Sequence, residues 1–197
     1  VGAANQATTR IHDEQIIRWA HRLPVRVSGY TGGTTLANFP VLLTLSTNLA
    51  GFAYAQFLSG ENRDLRFMDA SLTRELHYEV ETWNPTGASA VWVKLPTLTN
   101  GANFWMLWGK ADVAAPDCTT NGATFSEHFH GVWHMTDGFT DATPSNHHGS
   151  IVGTVRPATG IIGGAQDVSS GGLATAATIA MSNQVSLSAW VYRFGND

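Results

Sequence analysis

The sequence lacks several features that would point to a definite chemistry. Its 197 residues include a single cysteine, Cys118, so neither an intrachain disulfide nor a zinc site built from thiolates can form. The longest apolar run, FPVLLTL at 39–45, is far shorter than the roughly 20 residues of a membrane-spanning helix. Nucleophile elbows, phosphate-binding glycine loops and dinucleotide-binding motifs are all missing. We therefore predict no membrane insertion by these residues and no enzyme of the commonest types.

Charge is also scarce. Only 13% of the residues are charged, against roughly 25% in typical soluble proteins. Eleven basic and fifteen acidic residues give a formal net charge of -4, and no basic stripe marks a nucleic-acid partner. Apolar residues make up 43% of the chain, which is enough for a buried core. The small, polar start at 1–9, which lacks a Met, is typical of a processed N-terminus, as after removal of a signal peptide or after trimming of the chain.

Short segments in which apolar and polar residues alternate fill the first half of the chain. This period of two is typical of a strand with one buried face. The clearest segments are 64–69 (DLRFMD), 76–83 (LHYEVETW), 89–95 (SAVWVKL) and 103–109 (NFWMLWG). Two earlier segments, 22–30 and 39–46, flank a Thr-Gly-Gly-Thr turn and are predicted to pair as an antiparallel hairpin. With a short helical turn in 51–60, the pattern predicts an all-β fold that begins with an antiparallel β-sandwich.

The domain organisation follows from where this alternation stops and restarts. We predict an N-terminal arm at 1–18, a β-sandwich at 19–110, a linker at 111–127 and a second β unit at 128–197. Strand-like segments of the second unit lie at 128–135, 151–155, 161–168 and 184–194. An apolar strand left unpaired at a sheet edge is an aggregation hazard. We therefore expect that the polypeptide continues beyond Asp197 or that another chain covers this edge.

Two ordered sets of motifs resemble known families. The motifs WAHRLPVRV at 19–27, FPVLLTL at 39–45, DLRFMDA at 64–70, LHYEVETWNP at 76–85, VWVKLPTL at 91–98 and MLWGK at 106–110 resemble DUF2341, a bacterial and archaeal domain of unknown function. Residues 131–155, with GGAQDV at 163–168 and SLSAWVY at 186–192, resemble the N-terminal part of a laminin-G or concanavalin A-like jelly roll. The resemblance implies a sandwich followed by a partial jelly roll in a secreted or surface multidomain protein.

No established activity comes with this resemblance, and the residues suggest binding. We predict a non-enzymatic, extracytoplasmic binding or adhesion module of a bacterial or archaeal surface protein, with a glycan or a surface protein as its partner. One alternative is a structural subunit of a surface filament that self-assembles when the arm at 1–18 adds as a strand to the open edge of a neighbour's second domain. Another is the periplasmic region of a MotA/TolQ/ExbB-type proton-channel protein, since some family members carry such segments.

Three residues in one predicted strand are the best ligand-binding candidates. Glu79 and Glu81 are two residues apart, so their carboxylates lie on the same strand face. Trp83 continues this parity beside a turn, where its ring could stack on a sugar. Paired carboxylates also serve glycoside hydrolysis. However, glycosidases of the concanavalin fold usually set three acids on one strand, and the strand of Glu79 and Glu81 lies outside the predicted jelly roll. We therefore predict binding without catalysis, and we assign Trp92, which lies in an apolar run, to the core.

Calcium is the one cofactor that the sequence suggests. The polar loop at 137–149 offers Asp137, Asp141 and Asn146, whose oxygens are ligands of the kind that calcium prefers. Jelly rolls of the resembled class often hold calcium near a rim loop. The spacing matches no EF-hand, and the same residue types are common in turns without a metal. A metal site and a plain turn are therefore both open interpretations.

Overall fold

The computed structural model describes residues 18–136, 138–175 and 183–193. The chain divides into two compact units, Val1–Thr124 and Phe125–Asp197. Its secondary structure is 40% strand and 5% helix, which confirms the predicted all-β class. All strand pairs of the described sheets are antiparallel. Of the predicted N-terminal arm, residues 1–17 lie outside the described residues.

The first unit contains two three-stranded sheets. Its strands are β1 (His21–Arg26), β2 (Leu36–Ser46), β3 (Arg66–Asp69), β4 (Tyr78–Thr82), β5 (Ala88–Leu98) and β6 (Asn103–Trp108). One sheet has the order β1-β6-β3 and the other the order β2-β5-β4. The four strands predicted from the clearest alternating segments are therefore confirmed as β3, β4, β5 and β6.

Both sheets contribute to one hydrophobic core. Alternation along β6 turns Phe104, Met106 and Trp108 inward, and alternation along β5 does the same for Val91 and Val93. Burying a large apolar side chain stabilises a fold by about 1.5–3 kcal/mol. The core therefore accounts for the stability of the first unit and leaves the outward faces of both sheets for other roles.

The predicted hairpin between the first two strands is wrong. β1 pairs with β6, whereas β2 pairs with β5 in the other sheet. Just after β1, the Val27 amide donates to the carbonyl of Ala102 at 2.8 Å, and the Gly101 amide donates to the carbonyl of Val27 at 3.1 Å. These bonds extend the β1–β6 pairing to the turn between β5 and β6. Residues 27–35 therefore connect strands of different sheets instead of forming a tight turn.

Two irregular segments complete the first unit. Residues 51–60 contain the predicted short turn, a 3-10 helix at Tyr54–Gln56, and they bury Phe52 in the core. The segment predicted as a linker, 111–127, includes Cys118, which is buried in the core. Burial raises the pKa of the Cys118 thiol. Residues up to Thr124 belong to the first compact unit. Most of the predicted linker is therefore part of that unit.

The second unit contains one two-stranded sheet among its described residues. β7 (Ser150–Thr159) pairs with β8 (Gly164–Ala174), where strands were predicted at 151–155 and 161–168. The strand predicted at 128–135 is wrong, because these residues form no strand and Trp133 makes only an isolated bridge with Asp141. The strand predicted at 184–194 is also not formed over the described residues, where 183–193 are irregular and exposed. The partial jelly roll stays a prediction.

Candidate functional site

The outward face of sheet β2-β5-β4 carries a row of three side chains from three strands. Val91 and Val93 point into the core, so Trp92 between them points outward. Leu42 on β2 and Glu79 on β4 are the register partners of Trp92. Trp92 is partly exposed, and Leu42 is exposed to 38%. This tryptophan row, Leu42–Trp92–Glu79, therefore presents an aromatic ring between an apolar and an acidic neighbour.

A bulge in β4 adds a second carboxylate to the row. The register of β4 on β5 shifts between Val80 and Thr82, so Glu81 is the extra residue. A bulge residue loses its regular ladder position and its side chain is re-aimed. Here the indole Nε1–H of Trp92 donates to Oε2 of Glu81 at 2.6 Å. This charge-assisted hydrogen bond fixes the ring and holds Glu81 beside it.

The same bulge separates Trp83 from the two glutamates. Because one extra residue reverses the alternation, Trp83 turns toward the core instead of toward solvent. Its ring packs edge-on against Tyr54, with the centroids 5.1 Å apart, and against Phe57, with the centroids 5.0 Å apart. The predicted trio is thus divided: Glu79 and Glu81 lie together, Trp83 packs on the other side of the sheet, and Trp92 takes its place. The prediction that Trp92 belongs to the core is wrong.

One end of this outward face is closed by the segment that follows β6. Lys94 is two residues beyond Trp92 on β5 and points to the same side. Its Nζ donates to the carbonyl of Ala123 at 3.2 Å, and its residue is almost fully buried. The lysine therefore anchors residues near Ala123 over that end of the sheet. The tryptophan row lies at the edge of this covered region.

The predicted calcium ligand Asp141 is occupied by hydrogen bonds from its own loop. One carboxylate oxygen accepts the amides of Val132 at 2.9 Å and Thr143 at 3.0 Å. The other accepts the Thr143 hydroxyl and the His147 amide, both at 2.8 Å. Burial raises the pKa of Asp141, but these four bonds outweigh that effect and hold the pKa below its ordinary value. Asp141 therefore acts as the hub of a loop.

Of the other two predicted calcium ligands, only Asn146 lies among the described residues, and its side chain bonds elsewhere. Asp137 lies outside the described residues. The Nδ2 of Asn146 donates to the carbonyl of Pro144 at 2.9 Å, and the residue is exposed with a φ of 53°. No group of three or more His, Cys, Asp or Glu side chains in the described ranges is arranged to hold a metal ion. Over these residues the turn interpretation accounts for the sequence pattern, because the Asp141 side chain caps the turn that follows it.

Comparison with family models matches residues 61–142 to DUF2341, described as a domain of unknown function. The match supports the predicted resemblance over a different span, because it begins at 61 and runs to 142, beyond the first unit. It includes Glu79, Glu81 and Trp92, but no family match supports the laminin-G or concanavalin A-like part. No curated protein and no solved structure matches the chain. Within the described residues, no helix has the length and apolar character to cross a membrane.

Proposed function

We propose that the DUF2341 segment at 61–142 belongs to a non-enzymatic, extracytoplasmic binding or adhesion module that holds an uncharged glycan. The binding surface is the outward face of sheet β2-β5-β4. The observation that carries this proposal is the cluster of Trp92, Glu79 and Glu81, in which the indole donates to a carboxylate at 2.6 Å. The extracytoplasmic location rests on the family resemblance and on the low charge content of the chain.

The chemistry of the cluster suits a hydroxyl-rich ring. An indole offers a large apolar face on which the C–H face of a pyranose can pack. The carboxylates of Glu79 and Glu81 accept hydrogen bonds, which sugar hydroxyls donate. Two carboxylates also disfavour an anionic ligand by like-charge repulsion. A neutral sugar is therefore the ligand class that this face favours.

Preorganisation supports binding at this face. Trp92 lies on the central strand of its sheet, and its indole is held by Glu81. A ligand that meets side chains already held in place spends less conformational entropy on ordering them. The open sheet surface favours binding over hydrolysis, because glycosidases place two carboxyl groups on either side of the scissile bond. We therefore keep the non-enzymatic assignment as part of the proposal.

The two alternative functions remain predictions, and each rests on a different feature of the chain. The filament hypothesis relies on an arm at 1–18 that lies almost wholly outside the described residues. Its acceptor edge would be in the second unit, where Leu187 and Trp190 are 90% and 77% exposed. The proton-channel hypothesis rests on the family resemblance alone. Neither alternative uses the tryptophan row, so a glycan-binding experiment addresses the main proposal independently.

The test is a panel of neutral oligosaccharides probed first on an array and then by calorimetry. We expect Trp92→Ala to lower the affinity for the selected glycan about tenfold or more, since the stacking surface is lost. Trp92→Phe keeps a ring but removes the N–H bond to Glu81, so its loss is smaller. The matched control is Trp105→Ala, which removes a partly exposed tryptophan from the outward face of the other sheet.

Two outcomes would contradict the proposal. One is a folded wild-type protein that binds no neutral glycan on the panel. The other is an equal loss of affinity in Trp92→Ala and Trp105→Ala, which would remove the assignment to this face. Release of reducing sugar ends by the wild type, abolished in Glu81→Gln, would overturn the non-enzymatic part.

A further inference from the structure

The outward face of the other sheet, β1-β6-β3, has the opposite chemistry. Phe104 and Met106 of β6 are buried in the core, so Trp105 between them points outward. Its register partners are Pro24 on β1 and Met68 on β3. The indole Nε1 donates to the carbonyl of Ala70 at 3.3 Å, which restrains the ring. The middle of this face is therefore an apolar band centred on Trp105.

Two arginines of β1 lie at the two ends of this band. Arg22 and Arg26 share the outward side of the strand with Pro24, and both are exposed. Their Cα atoms are four strand residues apart, a span of roughly 13 Å. The guanidinium carbon of Arg22 lies 5.7 Å from the centroid of the Trp105 ring. A guanidinium over an aromatic ring is oriented by the cation–π contact. We name Arg22, Pro24, Arg26 and Trp105 the arginine strip.

A third arginine on this face, Arg66, has its charge paired and its donors hydrogen-bonded within the fold. Arg66 of β3 forms an ion pair with Glu75 at 3.2 Å and donates to the carbonyl of Ala114 at 2.7 Å. Arg22 and Arg26 differ, because neither has an acidic partner among the residues that the structure describes. Their charges are therefore available to a ligand, whereas the charge of Arg66 is used within the fold.

We propose that the arginine strip binds a carboxylated polysaccharide, such as a polymer of uronic acid. A guanidinium presents two parallel N–H donors that match the two oxygens of a carboxylate. The apolar band between the two arginines offers a surface for the sugar rings that separate the carboxylates. This site is independent of the tryptophan row, since it lies on the other sheet and takes an anionic ligand, whereas the row takes a neutral one.

The spacing of the arginines argues against nucleic acid as the ligand. A DNA strand carries one phosphate per 3.4 Å, so about four phosphates would cross the roughly 13 Å between Arg22 and Arg26. Two cations cannot neutralise that charge density, and the net charge of -4 on the chain opposes a dense polyanion. A polysaccharide with at most one charge per sugar ring has a lower charge density than a DNA strand with one phosphate per 3.4 Å.

The experiment measures binding of oligogalacturonate by calorimetry in low-salt buffer, with neutral dextran and dextran sulfate as comparison ligands. We expect Arg22→Ala and Arg26→Ala each to weaken oligogalacturonate binding about tenfold, because each removes a charge-assisted contact. Trp105→Ala should weaken it less, through loss of the ring that orients Arg22. Arg156→Ala is the matched control, since it removes an exposed strand arginine from the other unit and should leave the affinity unchanged.

Folding does not confound this test, because Arg22 and Arg26 are exposed and a thermal melt verifies each variant. The proposal is overturned if oligogalacturonate does not bind, or if Arg156→Ala weakens binding as much as Arg22→Ala. It is also overturned if dextran sulfate or a DNA oligonucleotide binds more tightly than oligogalacturonate, since that result indicates general polyanion attraction. Loss of acidic-glycan binding in Trp92→Ala would place the site on the other face.

Discussion

The first unit and the described part of the second unit differ in what their strands pack against. In the first, two sheets face one core, and Phe67 and Val91 are fully buried. In the second, β7 pairs with β8 in a two-stranded sheet, and Ile151 and Val152 of β7 remain more than half exposed. A hairpin alone is marginally stable, whereas two packed layers bury a core. Alternation of apolar and polar residues predicts a strand in both units. A strand adds much to stability only where an opposing sheet covers its apolar side, as in the first unit.

The largest expected loss of stability comes from truncating a core side chain of the first unit, which tests the difference in packing between the two units. Phe67 is fully buried and packs against Tyr78, with a centroid distance of 5.1 Å. We expect Phe67→Ala to lower the free energy of unfolding by about 3–5 kcal/mol, because it removes apolar burial and leaves a cavity. Urea denaturation followed by circular dichroism measures this value.

Leu187→Ala is the matched control in the second unit. Its side chain is 90% exposed, so the expected change is within about 0.5 kcal/mol. Comparable losses in the two variants would show that Leu187 is buried in solution, and the contrast between the units would fail.

A second comparison concerns two buried aspartates that each collect backbone amides. Oδ2 of Asp64 in the first unit accepts the amides of Leu58 at 2.9 Å and of Gly109 and Lys110 at 3.0 Å. These donors come from two distant segments, so Asp64 joins residues 51–60 to the end of β6. Asp141 in the second unit collects amides from one continuous loop. The first aspartate links long-range structure and the second organises local structure.

We therefore expect a larger loss of stability from Asp64→Ala than from Asp141→Ala. Removing the Asp64 carboxylate leaves buried N–H groups without an acceptor, at a cost of about 3 kcal/mol in the free energy of unfolding. Asp117→Ala, which removes an exposed carboxylate, serves as the control and should change stability by less than about 0.5 kcal/mol. Denaturant unfolding measures all three. A loss in Asp64→Ala no greater than in Asp117→Ala would refute the linking role.

The sequence predicts most strands of the first unit because a period of two depends only on neighbouring residues. It does not predict their partners, because pairing is decided by contacts far apart along the chain. The segments on either side of the Thr-Gly-Gly-Thr turn resemble a hairpin, yet β1 pairs with β6 and β2 with β5. The local turn signal was overruled by the need of each strand to bury its apolar side against the opposite sheet.

In the candidate site, too, the sequence pattern predicts the strand but not every detail of its geometry, and here the difference comes from a single residue. Parity counted along the sequence groups Trp83 with Glu79 and Glu81 and assigns Trp92 to the core. The extra residue at Glu81 reverses the parity of β4 beyond it, which turns Trp83 inward. Trp92 lies on β5, and its outward position follows from the regular alternation of that strand. Nothing in the local composition marks this bulge. The inward Val91 and Val93 are the signal that could have placed Trp92 outward, since a residue between two core positions of a strand faces away from the core.

The smallest expected effect is a local pH dependence in the second unit. The hydrogen bonds to Asp141 hold its pKa below the ordinary value of 3.8. A carboxylate with a lowered pKa stabilises the folded loop above the pKa of the unfolded chain, and this contribution is lost as pH falls through the folded-state pKa. We expect the amide NMR signals of Val132 and His147 to shift together with a midpoint below 3.8 in a titration from pH 5 downward. In Asp141→Asn this shared midpoint should disappear, whereas a midpoint at or above the ordinary value would show that the four hydrogen bonds do not hold the loop in solution.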